Sequence, residues 1–185
     1  MFQGVEILKV KQFCFEQAEE VLHHGIVQAV AFPAHALPDA LVFQHLLVML
    51  VFTGYKKSYY PDNAFDSDSE RLFSIILEED PDVIKWIKPP LNQLGLFWQA
   101  GQQYNPDFLV ETTTGKYMVE VKASNEVVSD EVIAKSKEGI KWCRFASTAD
   151  PDKKQWEYRL ITDDNICLGN SCKYTLGTAR KISED

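Results

Sequence analysis

Asp107, Glu120 and Lys122, two carboxylates and an ammonium group, have the types and spacing to do chemistry. Asp107 follows Pro106 and opens the apolar run Phe108-Leu109-Val110. Glu120 and Lys122 stand two apart in Tyr117-Met118-Val119-Glu120-Val121-Lys122. Side chains on a strand alternate with period two, so Glu120 and Lys122 share one face with Met118 while Tyr117, Val119 and Val121 share the other. A turn centred between Thr113 and Thr114 sets Asp107 across from Glu120. Opposed residues of an antiparallel pair have Cβ atoms about 4.5–5.5 Å apart, and like charges placed there destabilise a sheet. A hard divalent cation offsets that repulsion, because Mg²⁺ is commonly held by one or two carboxylates together with waters and phosphate oxygens. Lys122 is placed to touch a water or a phosphate at such an ion.

The elements that must position these groups are legible to different degrees. Tyr104 to Glu111 and Tyr117 to Lys122 read as two arms of a β-hairpin, with Thr112-Thr113-Thr114-Gly115-Lys116 as the turn and Gly115 able to take positive φ. A bulge at Gly115 would shift the pairing by one residue. Ser67-Asp68-Ser69-Glu70 is a capping box, followed by Leu72, Phe73, Ile76 and Leu77 at helical spacing, and Pro81 ends that helix. Two readings of Glu70 stand side by side: its carboxylate closes the capping box on the Ser67 amide, or it faces the hairpin and supports a metal there. Val83 to Lys88 alternates as a strand up to Pro89-Pro90, and Leu94 to Trp98 is expected to add to the same sheet. Lys85 and Lys88 either meet phosphates or are solvated. Ser129 to Phe145 reads as a helix and Gln155 to Ile161 as a strand, while the polar tail from Gly169 reads as irregular.

These residues carry a resemblance. Pro106-Asp107, about a dozen residues, then Glu120-Val121-Lys122 resembles the PD-(D/E)xK nuclease signature. Phe65-Asp66-Ser67 with Glu70, Tyr104 to Asp107, Val119 to Lys122, and Ala134-Lys135 followed by Trp142-Cys143 is similar to the carboxy-terminal nuclease domain of type III restriction enzyme Res subunits. The similarity spans about residues 64–166. It implies an α+β fold with an αβββαβ core, a mixed sheet flanked by helices, and metal-dependent hydrolysis of phosphodiester bonds in DNA. It further implies Mg²⁺, with Mn²⁺ as substitute, held by Asp107, Glu120 and the Val121 carbonyl. Lys122 would be catalytic, with Glu70 and Lys135 supporting the site from the helices. Lys135 has a second reading as the i, i+4 partner of Glu131. Pro-Asp also occurs at 38, 61, 81 and 151, and Asp152-Lys153-Lys154 is a rival D-x-K, so order and strand context distinguish the pair at 107 and 120.

The resembled subunits carry a helicase motor, and no G-x-x-x-x-G-K-[ST] phosphate loop occurs in these 185 residues. A separate helicase, translocase or modification subunit is therefore an expected partner beside DNA. Two other readings keep the fold and change the biology: a catalytically silent module that binds DNA or a protein, and a transposon-end or repair nuclease of the same superfamily.

The totals bound the rest. A length of 185 residues with 45 % hydrophobic content suits one core, and a formal charge of −8 argues against gripping nucleic acid by bulk electrostatics. A local metal site is compatible with that charge, since a bound ion inverts the field around its carboxylates. Cys14, Cys143, Cys167 and Cys172 show no framework spacing, so reduced thiols in a cytoplasmic protein are expected. His23, His24, His35 and His45 match no ligand motif. Between Lys11 and Lys56 there is no Lys or Arg, which suggests an apolar appendage over 1–52, a linker over 53–66, the nuclease-like domain over 67–168 and a tail over 169–185. The run from Ala40 to Phe52 is too short for the roughly 20 residues that span a bilayer, so no membrane association is expected.

Overall fold

The computed structural model describes residues 51–99 and 101–182. The helix expected over 13–24 and most of the apolar run over 40–52 lie outside the described residues.

Segments in which Val, Leu, Ile and aromatic residues alternate form a four-stranded mixed sheet. Its strands are β3 (Val83–Ile87), β6 (Phe108–Thr112), β7 (Lys116–Lys122) and β8 (Trp156–Thr162), in the spatial order β3-β6-β7-β8. β3, β6 and β7 pair antiparallel, whereas β7 and β8 are parallel. A parallel pair needs a crossover, and the helix α2 (Asp130–Ala149) supplies it. The helix α1 (Asp68–Glu79) precedes β3, so the elements about the sheet run α, β, β, β, α, β, and the protein is of the α+β class.

Each face of the sheet is covered by one long helix. Phe73, Ile76 and Leu77 of α1, three and four residues apart, pack against Trp86, Phe108, Val119 and Val121. Cys143 and Ala146 of α2 pack on the other face against Leu109, Met118 and Trp156. Val119 and Met118 thus go to opposite sides, as period two requires. Burial pushes the Cys143 and Cys172 thiols up to about 12, and both are free, as is the exposed Cys167.

α2 can approach the sheet closely because of Gly139. A Cβ there would lie 2.6 Å from Tyr158 Cδ2 and Cε2 and 3.3 Å from Met118 Sδ. Gly139→Ala is expected to cost about 1–3 kcal/mol by overpacking and to displace the Tyr158 ring. A thermal melt checks this, and an alanine variant as stable as the parent would show that the contact is not tight.

Four expectations differ from what forms. Leu94 to Trp98 does not join the main sheet: β4 (Leu96–Gln99) pairs with β5 (Gln102–Tyr104) as a separate two-stranded ribbon. Gly115 is not at positive φ, because the Thr112 hydroxyl closes the turn instead, accepting from the Thr114 and Gly115 amides and donating to the Gly115 carbonyl. The tail is not irregular throughout: α3 (Cys172–Gly177), capped by Ser171, buries Cys172, Thr175 and Leu176, and the Cys172 amide donates to Asp80 Oδ2 at 2.6 Å. Residues 53–66, expected as a linker, contribute to a small pairing of β1 (Val51–Thr53) with β2 (Asp62–Ala64), and Tyr55 and Phe65 pack against the core. Among the described residues no helix is long and apolar enough to cross a membrane.

Candidate functional site

The hairpin register sets the site. Phe108 lies opposite Val119, Leu109 opposite Met118 and Val110 opposite Tyr117, with no bulge at the turn. Continued one residue past Phe108, this register brings Asp107 across from Glu120, as the sequence predicts. The Val121 amide donates to Asp107 Oδ2 at 2.7 Å, fixing the carboxylate beside the second arm.

Glu120 is 4 % exposed, and both of its oxygens are engaged. Oε1 lies 2.7 Å from Lys122 Nζ, and Oε2 accepts from the Tyr104 hydroxyl at 2.8 Å. Tyr104 closes the ribbon strand β5 three residues before Asp107, so one short segment supplies both a carboxylate and the group that orients its counterpart. A hydroxyl chain continues inward: Tyr104 lies 3.4 Å from Tyr158 Oη, and Ser136 Oγ of α2 lies 3.1 Å from the same oxygen. Burial, then the charge of Glu120, raises the pKa of both tyrosines, so they stay protonated.

Asp107 carries the electrostatic strain. Burial and then the charge of Glu120 push its carboxyl well above the usual range; Lys122 and the Val121 amide pull the other way, and Glu70 adds to the rise. Burial alone would lower the Lys122 pKa, but the charges of Glu120 and Asp107 raise it overall.

Glu70 satisfies part of both sequence readings. Its amide donates to Ser67 Oγ at 3.2 Å and its Oε1 accepts from the same hydroxyl at 3.1 Å, the N-cap half of a capping box. The reciprocal bond goes to the Asp66 amide at 3.3 Å, not to Ser67 as the box predicts. The same oxygen, Oε2, accepts from Lys88 Nζ at 2.6 Å, and Glu70 lies close enough to Asp107 to raise its pKa.

Lys135 follows its simpler reading. Its ammonium lies 2.5 Å from Glu131 Oε1 and 5.3 Å from the Trp98 ring centroid. Glu131 in turn feels the charge of Lys122, which places the pair at the margin of the cluster. Lys85 pairs with Glu111 at 3.4 Å, away from Asp107.

Lys88 and Tyr104 are the residues whose roles sequence reasoning missed. Lys88 was open between phosphate contact and solvent, and its ion pairs with Glu70 and Asp66 bridge 18 and 22 residues, with no local signal. Tyr104 lay in the resembled motif without a role.

The donor chemistry fits a hard divalent cation at two carboxylates. All the groups are oxygens, and a cation would offset the burial and the Glu120 charge that raise the Asp107 carboxyl. A fuller cage is not formed: among the described residues no group of three or more His, Cys, Asp or Glu side chains is arranged to hold a metal ion. Compared with known proteins, the chain matches no family model and no curated protein.

Proposed function

We propose that this chain carries a metal-dependent endonuclease module that hydrolyses phosphodiester bonds in DNA on a restriction-endonuclease-like core, resembling the nuclease domain of a type III restriction enzyme. The bond of the Val121 amide to Asp107 Oδ2 at 2.7 Å, which holds that carboxylate beside Glu120 with its pKa above the usual range, is the observation that carries this reading. The order α, β, β, β, α, β supports it.

Asp107, Glu120 and the Val121 carbonyl would hold Mg²⁺, or Mn²⁺ in its place. The ion, when bound, supplies a water of lowered pKa and screens charge on the phosphate. Lys122, on the same face as Glu120, orients the attacking water or stabilises its hydroxide form. The Tyr104 hydroxyl restricts Glu120 to one orientation, and Glu70 and Lys135 support the site from α1 and α2. DNA is the substrate, and a translocase or modification subunit is the natural partner, since no phosphate loop occurs in these 185 residues.

A catalytically silent module for DNA or protein binding is the second reading, favoured by the saturation of both Glu120 oxygens by Lys122 and Tyr104. Calorimetric titration with Mn²⁺, run beside nicking of plasmid DNA in Mg²⁺ or chelator, separates the two. The nuclease reading expects metal binding, and nicking that needs Mg²⁺ and is unchanged by ATP. Absence of metal binding would leave the silent module, and nicking stimulated by ATP would show a nucleotide-driven step within these 185 residues.

A further inference from the structure

The three carboxylates of the cluster are neutralised unequally. Glu120 has the Lys122 ammonium at 2.7 Å and Glu70 has the Lys88 ammonium at 2.6 Å. Among the described residues, Asp107 has the Val121 amide and no ammonium of its own. Lys88 follows β3, its side chain is 18 % exposed, and its second partner, Asp66 at 3.1 Å, is a solvent-exposed carboxylate. Asp107 also acts on it, so Lys88 belongs to the same electrostatic unit as the hairpin pair.

A divalent cation changes this balance. Without it, two ammonium groups serve the three buried carboxylates and the exposed Asp66; with it, those charges balance, and an ammonium can exchange a carboxylate for an incoming anion. Lys88 is the better placed of the two to exchange, because Glu70 keeps the Ser67 hydroxyl and the Asp66 amide when the ammonium leaves.

We propose that Lys88 is a phosphate-binding residue: with a divalent cation at Asp107 and Glu120, its ammonium leaves Glu70 and takes a non-bridging oxygen of the DNA backbone. The inference rests on the nuclease reading and assigns to that site a second cation, approaching from β3 and α1 where Lys122 approaches from β7.

The test is the salt dependence of binding to a short fluorescent DNA duplex, measured by anisotropy in Ca²⁺ and in chelator. Each phosphate neutralised by a protein cation contributes about 0.9 to the slope of log affinity against log salt. In Ca²⁺, Lys88→Met is expected to lower that slope by about one, and to weaken binding roughly tenfold at low salt. In chelator the slopes of the two proteins are expected to coincide, because Lys88 stays on Glu70. The double variant Lys88→Met/Glu70→Gln leaves no buried unpaired carboxylate at position 70 and gives the same readout should the single variant fold poorly. An unchanged slope in Ca²⁺ for a folded variant overturns the proposal and leaves the nuclease reading standing. A parent chain that binds no duplex in Ca²⁺ overturns the nuclease reading itself.

Discussion

Asp107→Asn is expected to abolish both metal binding and cleavage while making the protein more stable at neutral pH. Asparagine keeps the shape and can accept the Val121 amide bond that Oδ2 now takes at 2.7 Å, so the loop before β6 retains its anchor. What disappears is a charge that the fold disfavours: burial first, then Glu120, raise the Asp107 carboxyl well above its usual range. A carboxyl whose folded pKa exceeds its unfolded one costs stability as pH rises. Below an unfolded value of about 3.9 it is protonated in both states and costs nothing. The cost grows as pH climbs through that value and becomes constant above the folded pKa. Each unit of upward displacement is about 1.4 kcal/mol, or about 3–6 °C of melting temperature in a protein of this size. Melting curves of parent and variant from pH 3.5 to 8, in chelator, should therefore converge in acid and separate towards neutrality with the variant higher. A variant that melts lower at pH 7 would show that Asp107 is not under electrostatic strain. Calorimetry with Mn²⁺ on the same two proteins reads the functional half, and undiminished binding by the variant would remove Asp107 from the metal site. Stability gained where activity is lost is the usual mark of a site held against local preference.

The hairpin was legible because one rule governs it. Period two assigns each side chain a face, the turn residues place the centre, and the pairing of Phe108 with Val119 follows. From there the opposition of Asp107 and Glu120 is arithmetic. The capping box at Ser67 was legible for a similar reason, since its bonds join residues at most four apart. The remainder depends on contacts that no local pattern encodes. Tyr104 reaches Glu120 across 16 residues, and Lys88 reaches Glu70 across 18. The ribbon β4–β5 was misassigned to the main sheet because an apolar run specifies a strand and not its partner. α3 was missed because its polar composition hides three buried residues, although Ser171 at its start was an available cap signal. Of the two readings of Lys135, the i, i+4 pair with Glu131 was legible from helical spacing, and it is the bond that forms.

Lys116→Met is expected to be the most destabilising single change at the far end of the hairpin, where the charge logic of the site is reversed. There Glu111 and Lys116 are opposed with unlike charge. Glu111 is further paired with Lys154 at 2.7 Å, and Lys116 reaches Asp150 at 2.7 Å and Asp152 at 3.2 Å. The Lys116 and Asp150 side chains are 3 % and 1 % exposed, close beneath the surface, and Trp156 Nε1 donates to the same Asp150 oxygen at 2.9 Å. The pair joins the start of β7 to the segment that follows α2, which fixes the crossover leading into the parallel strand β8. Removing one partner of a buried ion pair strands the other charge and costs roughly 3–5 kcal/mol, on the order of 10 °C in melting temperature. Asp150 and Lys116 shift in opposite directions. Burial opposes the charged form of Asp150, but the bonds from Lys116 and Trp156 lower its carboxyl overall; burial likewise opposes the Lys116 ammonium, which Asp150 and Asp152 raise. The stability they supply is therefore present between the unfolded carboxylate pKa of about 3.9 and the unfolded ammonium pKa of about 10.4, and is lost as pH falls through the folded value of Asp150 or rises through that of Lys116. Lys116→Met/Asp150→Asn removes both charges and is expected to recover most of the loss, because replacing a whole buried pair costs far less than breaking it. Urea unfolding of the parent, both single variants and the double variant closes the cycle. A double variant no more stable than Lys116→Met would show that packing of the lysine stem, not charge, holds this end together.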